Sequence, residues 1–120
     1  MPKVLIVDDE AAVLKSTAML LGEMGYETIA CSDARDVVAL ARAERPDVIL
    51  QDVRMPGLDI DTLVRQIRAI EGAPRIPVVL FSASLDAPAA RDRTQASGLV
   101  EKPFRPQTLV DALGAALSSA

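Results

Sequence analysis

Lys3-Val4-Leu5-Ile6-Val7-Asp8-Asp9 decides how this chain is read. Four apolar residues, three of them branched at the β-carbon, form a run too short for a helix and too continuous for a strand with one wet face. Such a run is a strand buried on both sides, as in a parallel sheet covered by helices. Two aspartates close it abruptly, so two carboxylates are carried at the carboxyl end of a buried strand.

Working outward, short runs rich in Val, Ile and Leu alternate with longer stretches of helical periodicity. The strands are expected at 3–7, 27–31, 47–51, 76–81 and 99–101. Between them, Val13, Thr17, Leu20, Leu21 and Met24 mark the buried face of a first helix that Gly25 stops. Asp33 caps a second helix carrying Val37, Leu40 and Ala41, which must end near Arg45 because Pro46 disfavours helix in the residue before it. Leu63, Ile67 and Ile70 form the third stripe, stopped by Gly72. A fourth, weakly amphipathic helix spans about 87–96. A fifth opens at Pro106 and buries Leu109, Ala112, Leu113 and Ala116. The closing residues Ser118, Ser119 and Ala120 read as a frayed end.

Five βα units therefore fill residues 1–120 as one domain, with no room for an output domain. Right-handed crossovers leave few topologies open. The strand ending at Cys31 carries no acid, hydroxyl or lysine at its end, so it belongs at an edge. The expected fold is α/β, a flavodoxin-like (βα)5 doubly wound sandwich with parallel sheet order 2-1-3-4-5. That order sets Asp8, Asp9 and Asp52 around the switch point, where open α/β sheets bind ligands.

Composition excludes several function classes. Half of the residues are apolar and the formal net charge is −4, which argues against binding nucleic acid phosphates or anionic lipid. One cysteine, Cys31, cannot form an internal disulfide, and the opening apolar run is too short for a secretion signal. No stretch approaches the roughly 20 apolar residues of a membrane span. A cytoplasmic protein with no membrane insertion is the expectation.

Chemistry concentrates at the strand ends: Asp8 and Asp9 after the first, Asp52 after the third, Ser82 after the fourth and Lys102 after the fifth. Three adjacent carboxylates repel unless a cation offsets them. With no histidine in the chain to favour zinc, Mg²⁺ is the expected ion, a hard cation that takes a few carboxylate oxygens and keeps some of its waters. Three carboxylates and one ammonium sum to −2, which one divalent ion neutralises. The site then suits a phosphoryl group whose charge the ion and Lys102 share. Asp8 and Asp9, being adjacent, are the better metal ligands, and Asp52, standing between them and Lys102, is the expected nucleophile, forming an acyl phosphate. Ser82 would donate to a phosphoryl oxygen, and a cis bond at Pro103 would help aim Lys102. Each residue also has a plain reading. Asp8 to Glu10 would suit a helix start, Asp52 a turn, Ser82 an N-cap and Lys102 a solvated charge. Four such coincidences at four strand ends are much less probable than one site.

The set Val7-Asp8-Asp9-Glu10, Asp52-Val53-Arg54-Met55-Pro56-Gly57, Phe81-Ser82-Ala83 and Glu101-Lys102-Pro103-Phe104 resembles the receiver domain of two-component response regulators, in order and spacing along nearly the whole chain. The resemblance implies that Asp52 accepts a phosphoryl group from a sensor histidine kinase or a histidine phosphotransfer protein. It also implies direct Mg²⁺ ligation by Asp9, Asp52 and the Arg54 backbone carbonyl, with Asp8 acting largely through water. Ser82 and Lys102 take the phosphate-contacting roles, and a downstream protein reads the altered surface. The domain is then a regulatory phospho-acceptor and not an enzyme. Arg54 and Ser84 fall at positions where the family tunes hydrolysis, and an Arg54 guanidinium over the acyl phosphate would slow attack by water. One departure stands out: Leu99 occupies the place where receivers usually carry an aromatic switch residue, which leaves the loop after Ser82 and the fourth helix as the alternative mobile part.

Three other readings compete. A pseudo-receiver would bind partners without phosphorylation, but the acidic set is intact. An Asp-nucleophile phosphatase of the haloacid dehalogenase type would want an acid where Arg54 stands. A flavodoxin-like electron carrier would want a hydroxyl-rich phosphate loop after the first strand, which is missing, and aromatic residues to sandwich a flavin, which are scarce here.

Overall fold

The opening run folds as strand β1 (Lys3–Val7), with Val4 to Val7 fully buried. After it come α1 (Ala11–Glu23), β2 (Glu27–Cys31), a single 3-10 turn (Ala34–Asp36) leading into α2 (Val37–Glu44), and β3 (Val48–Asp52). The second half runs α3 (Ile60–Arg68), β4 (Val78–Ser82), α4 (Ala87–Thr94), β5 (Gly98–Glu101) and α5 (Pro106–Ser118). The computed structural model describes residues 1–70 and 75–118. The expected stop at Gly72, and Ser119 and Ala120 of the expected frayed end, lie outside the described residues.

All five strands pair in parallel in the order β2-β1-β3-β4-β5, the flavodoxin-like arrangement expected from the element order. Alternation along each strand sends side chains to opposite faces. Leu5, Val7, Ile49 and Leu80 pack against α2, α3 and α4, while Val4, Ile6, Leu50, Val79 and Phe81 pack against α1 and α5. Continuous apolar strands are thus required because both sheet faces are core. Edge strand β2 is only partly buried, in keeping with its more polar sequence.

Helix ends follow local chemistry. Gly25 takes a φ of 93° just past α1, a conformation that costs glycine little. Arg45 adopts a left-handed φ of 49° between α2 and Pro46. Asp33 caps the 3-10 turn, its carboxylate accepting from the Arg35 N–H. Several details differ from expectation; β4 runs from Val78 through Ser82 instead of the expected 76–81, and β5 starts at Gly98, one residue earlier than expected. Met24 is 47% exposed because α1 has ended before it, and Leu14 takes its place in the buried stripe. The third strand starts one residue later than expected and includes Asp52, since the Asp47 carboxylate turns aside to accept the Lys3 N–H at 2.7 Å.

Helices α3 and α4 are held unequally. α3 buries Ile60, Leu63, Val64 and Ile67, each worth about 1.5–3 kcal/mol when removed from water. α4 buries only Ala87, Ala90 and Thr94 and ends at Thr94, short of the expected 96. Small side chains give it little apolar burial, and much of its anchorage to α3 is polar, through Arg93 to Asp61 at 3.1 Å and Arg68 to the Gln95 carbonyl at 2.9 Å.

Candidate functional site

Register brings the polar strand ends together. Val7 of β1 lies opposite Gln51 of β3, so Asp8 and Asp52 emerge side by side at the carboxyl edge. Asp52 pairs with Phe81, one residue before Ser82, and Ser82 pairs with Glu101, one residue before Lys102. Carboxylate oxygens of Asp8, Asp9 and Asp52 all lie within 4.8 Å of one another, with Asp8 and Asp52 buried and Asp9 exposed. Lys102 donates to Asp8 Oδ2 at 2.7 Å, and its Nζ stands 3.8 Å from Asp52 Oδ2.

Electrostatics here are those of a partly neutralised acidic pocket. Burial pushes the Asp52 carboxyl up to about 6; the charge of Asp8 adds to the rise, while Lys102 and the Arg54 N–H hold it down. One ammonium thus leaves the cluster short of positive charge. The donors are all oxygen, they converge, and three carboxylates face a single ammonium, so the residues present fit a hard divalent ion such as Mg²⁺.

A pH dependence follows from this shift. A carboxyl whose folded pKa lies above its ordinary value of 3.8 contributes stability fully below that value and loses it as pH rises through about 6. In EDTA, the Asp52 contribution should therefore fall by about 2 kcal/mol between pH 4 and pH 7. Added Mg²⁺ should recover much of it at pH 7.5 and little at pH 4.5. Urea unfolding at both pH values, with and without Mg²⁺, measures the difference; equal Mg²⁺ effects at the two would contradict it.

The plain readings hold only in part. Asp52 Oδ1 does accept from the Arg54 N–H at 3.3 Å, as a turn aspartate would, and Asp8 Oδ1 accepts from the Glu10 N–H at 2.9 Å. Asp8 is nevertheless fully buried and paired with lysine, and no side chain caps α1. Ser82 does not cap α4, whose N-cap is Asp86. Its Oγ, 3% exposed as a residue, accepts from the Ser84 N–H at 2.9 Å. The Lys102 side chain is only 13% exposed, not solvated, and the Lys102-Pro103 bond is cis.

Other neighbours had little or no sequence signal. Lys102 Nζ sits 4.4 Å from the centre of the Phe81 ring, a cation–π contact inside the core that only a fully buried aromatic before Ser82 hinted at. The Arg54 guanidinium is neither over Asp52 nor free: it donates to Ser84 Oγ at 3.2 Å and Asp86 Oδ2 at 3.1 Å, tying the loop after β3 to the loop after β4. Ser84 Oγ in turn donates to Asp86 Oδ1. Leu99 is partly buried against the layer that contains α4.

A family model described as the response regulator receiver domain matches residues 4–114. The chain belongs to the receiver domain family. This receiver domain is 31% identical over 121 residues to protein PilH of Pseudomonas aeruginosa, covering 98% of this chain and 99% of PilH. It covers only 47% of the DNA-binding response regulator MtrA of Mycobacterium tuberculosis, at 28% identity. Among solved structures it resembles the chemotaxis response regulator CheY4 of Vibrio cholerae, with a TM-score of 0.84, 30% identity and coverage of 95% of this chain and 97% of that one. The receiver domain of sensor histidine kinase PA1611 from Pseudomonas aeruginosa, solved with a magnesium ion in its active site cleft, gives a TM-score of 0.85 at 27% identity, covering 98% of each chain. Receiver domains act as regulatory parts of two-component systems, and they typically bind Mg²⁺ at an acidic pocket of the kind that Asp8, Asp9 and Asp52 form here. Among the described residues no helix is long and apolar enough to cross a membrane.

Proposed function

We propose that this receiver domain is a phospho-acceptor in a cytoplasmic two-component phosphorelay, with Asp52 taking the phosphoryl group from a phosphohistidine of a sensor kinase or histidine phosphotransfer protein. The observation that carries the reading is the convergence of three carboxylates within 4.8 Å beside a lysine buried against two of them. Residues 1–120 are assigned to this one domain.

An Asp52 carboxylate oxygen attacks phosphorus, the P–N bond to imidazole breaks, and a neutral imidazole leaves after protonation. Asp8, Asp9, Asp52 and the Arg54 carbonyl would hold Mg²⁺, Asp8 largely through water; when bound, the ion neutralises charge on the transferring group. Lys102 has an ammonium already shared between Asp8 and Asp52, and a short swing sets it on a phosphoryl oxygen. Ser82 Oγ uses a lone pair on the Ser84 N–H, which leaves its proton to donate to another oxygen. The loop after β4 and the lightly buried α4 would then shift, and that altered surface is what a downstream protein binds. Leu99 makes an aromatic relay unnecessary to this scheme. Incubation with a small phosphodonor and Mg²⁺ tests it: the chain should gain one phosphoryl group, and EDTA should abolish the gain. Equal labelling in EDTA would contradict the metal's part.

Arg54 has a measurable role in this scheme. Its guanidinium is held by Asp86 and Ser84 through an exposed ion pair and hydrogen bond of the weak kind. Asp86→Asn should free Arg54 to cover the acyl phosphate and lengthen its lifetime, and Arg54→Ala should shorten it, each by about two- to fivefold. Lifetimes after donor removal decide this; two values equal to the parent's remove the role.

A further inference from the structure

Gln51 stands in strand β3 among Val48, Ile49 and Leu50, is fully buried, and lies between Val7 of β1 and Leu80 of β4. Its Nε2 donates to the Asp52 carbonyl at 2.9 Å and to Met55 Sδ at 3.6 Å. Its Oε1 has no hydrogen-bond partner. Flipping the amide would set its oxygen against a carbonyl oxygen and a thioether, so the orientation is dictated by those acceptors. A buried acceptor without a partner is unfavourable; methionine or leucine would fill this place without Oε1 but would also remove the donor to the Asp52 carbonyl, so the two effects offset. The amide therefore adds little to core stability. Its contacts bracket Asp52 to Met55, the segment that carries the Asp52 carboxylate and the Arg54 carbonyl.

We infer that Gln51 is a positioning residue: its buried amide holds the Asp52 backbone carbonyl at one end of that segment and the Met55 side chain at the other, and so keeps Asp52 and Arg54 arranged to receive Mg²⁺ and the phosphoryl group. The inference rests on the reading of Asp52 as a phospho-acceptor in a Mg²⁺ site. Outer contacts that orient metal ligands commonly change affinity by about tenfold or more when lost.

The test compares the full chain with Gln51→Met and Gln51→Leu. Urea unfolding in EDTA reads stability, and calorimetric titration with MgCl₂ reads affinity. The expected result separates the two readouts: both variants about as stable as the parent in EDTA, and both binding Mg²⁺ about tenfold more weakly. Three results would overturn the inference: affinity equal to the parent's, stability and affinity falling together, or failure of both variants to fold, each of which makes the amide an ordinary core group. A parent that binds no Mg²⁺ at all sinks the functional reading as well, and that outcome is visible before any variant is made.

Discussion

Lys102→Ala should slow phosphoryl transfer to Asp52 by about 10²–10³-fold at saturating donor and Mg²⁺, the usual effect of removing one preorganised group that meets charge developing in a transition state. The ammonium is 13% exposed, bonded to Asp8 at 2.7 Å and seated over the Phe81 ring, so its charge acts in a poorly solvated place where it counts for far more than at the surface. Its removal also leaves Asp8 without its cation and pushes the Asp52 carboxyl higher still. Lys102→Arg should restore little, because a planar fork cannot occupy the space of a point charge held between two carboxylates and a ring. Single-turnover rates with a small phosphodonor make the comparison. A loss of less than fivefold in Lys102→Ala would mean that the lysine serves the fold and not the transfer.

Asp52→Asn should be inert as an acceptor and, in EDTA at pH 7.5, more stable than the parent by about 2–3 kcal/mol. The sign follows from the raised pKa: at that pH the folded parent holds an ionised carboxylate that burial and Asp8 disfavour, and asparagine removes that charge at nearly constant volume. Saturating Mg²⁺ should erase the advantage, since only the parent has the charge that the ion offsets. Urea unfolding of the two proteins under both conditions tests this. A variant less stable than the parent in EDTA would show that the carboxylate is a structural partner of Lys102 first, and a destabilised acid second.

Much of this molecule was legible in the sequence because two constraints coincide. Strands buried on both faces must be apolar nearly throughout, which made β1, β3 and β4 visible, and right-handed crossovers left few places for them. Register then brings Asp8, Asp9, Asp52 and Lys102 together with no further information, because each stands at or just past a strand's carboxyl end. What stayed hidden depends on the reach of side chains. Nothing in the spacing of Arg54, Ser84 and Asp86 says that a guanidinium crosses between two loops, and the Phe81 ring beneath Lys102 is a matter of rotamer. The misplaced Met24 has a simpler cause: helical periodicity does not mark where the last turn ends, and a residue just past it follows the loop. Gln51 carries a signal of its own, a polar side chain that follows three apolar residues of a buried strand and directly precedes Asp52, which has to be either paired or costly.

The central claim, that Asp52 is the residue phosphorylated, is met most directly by locating the label. The chain is incubated with Mg²⁺ and acetyl phosphate, the acyl phosphate is trapped, and the modified peptide is identified by mass spectrometry. The account predicts one phosphoryl group on Asp52 in the parent and none in Asp52→Asn. Label on another residue, label that persists in the variant, or a parent that never takes up phosphate would contradict it.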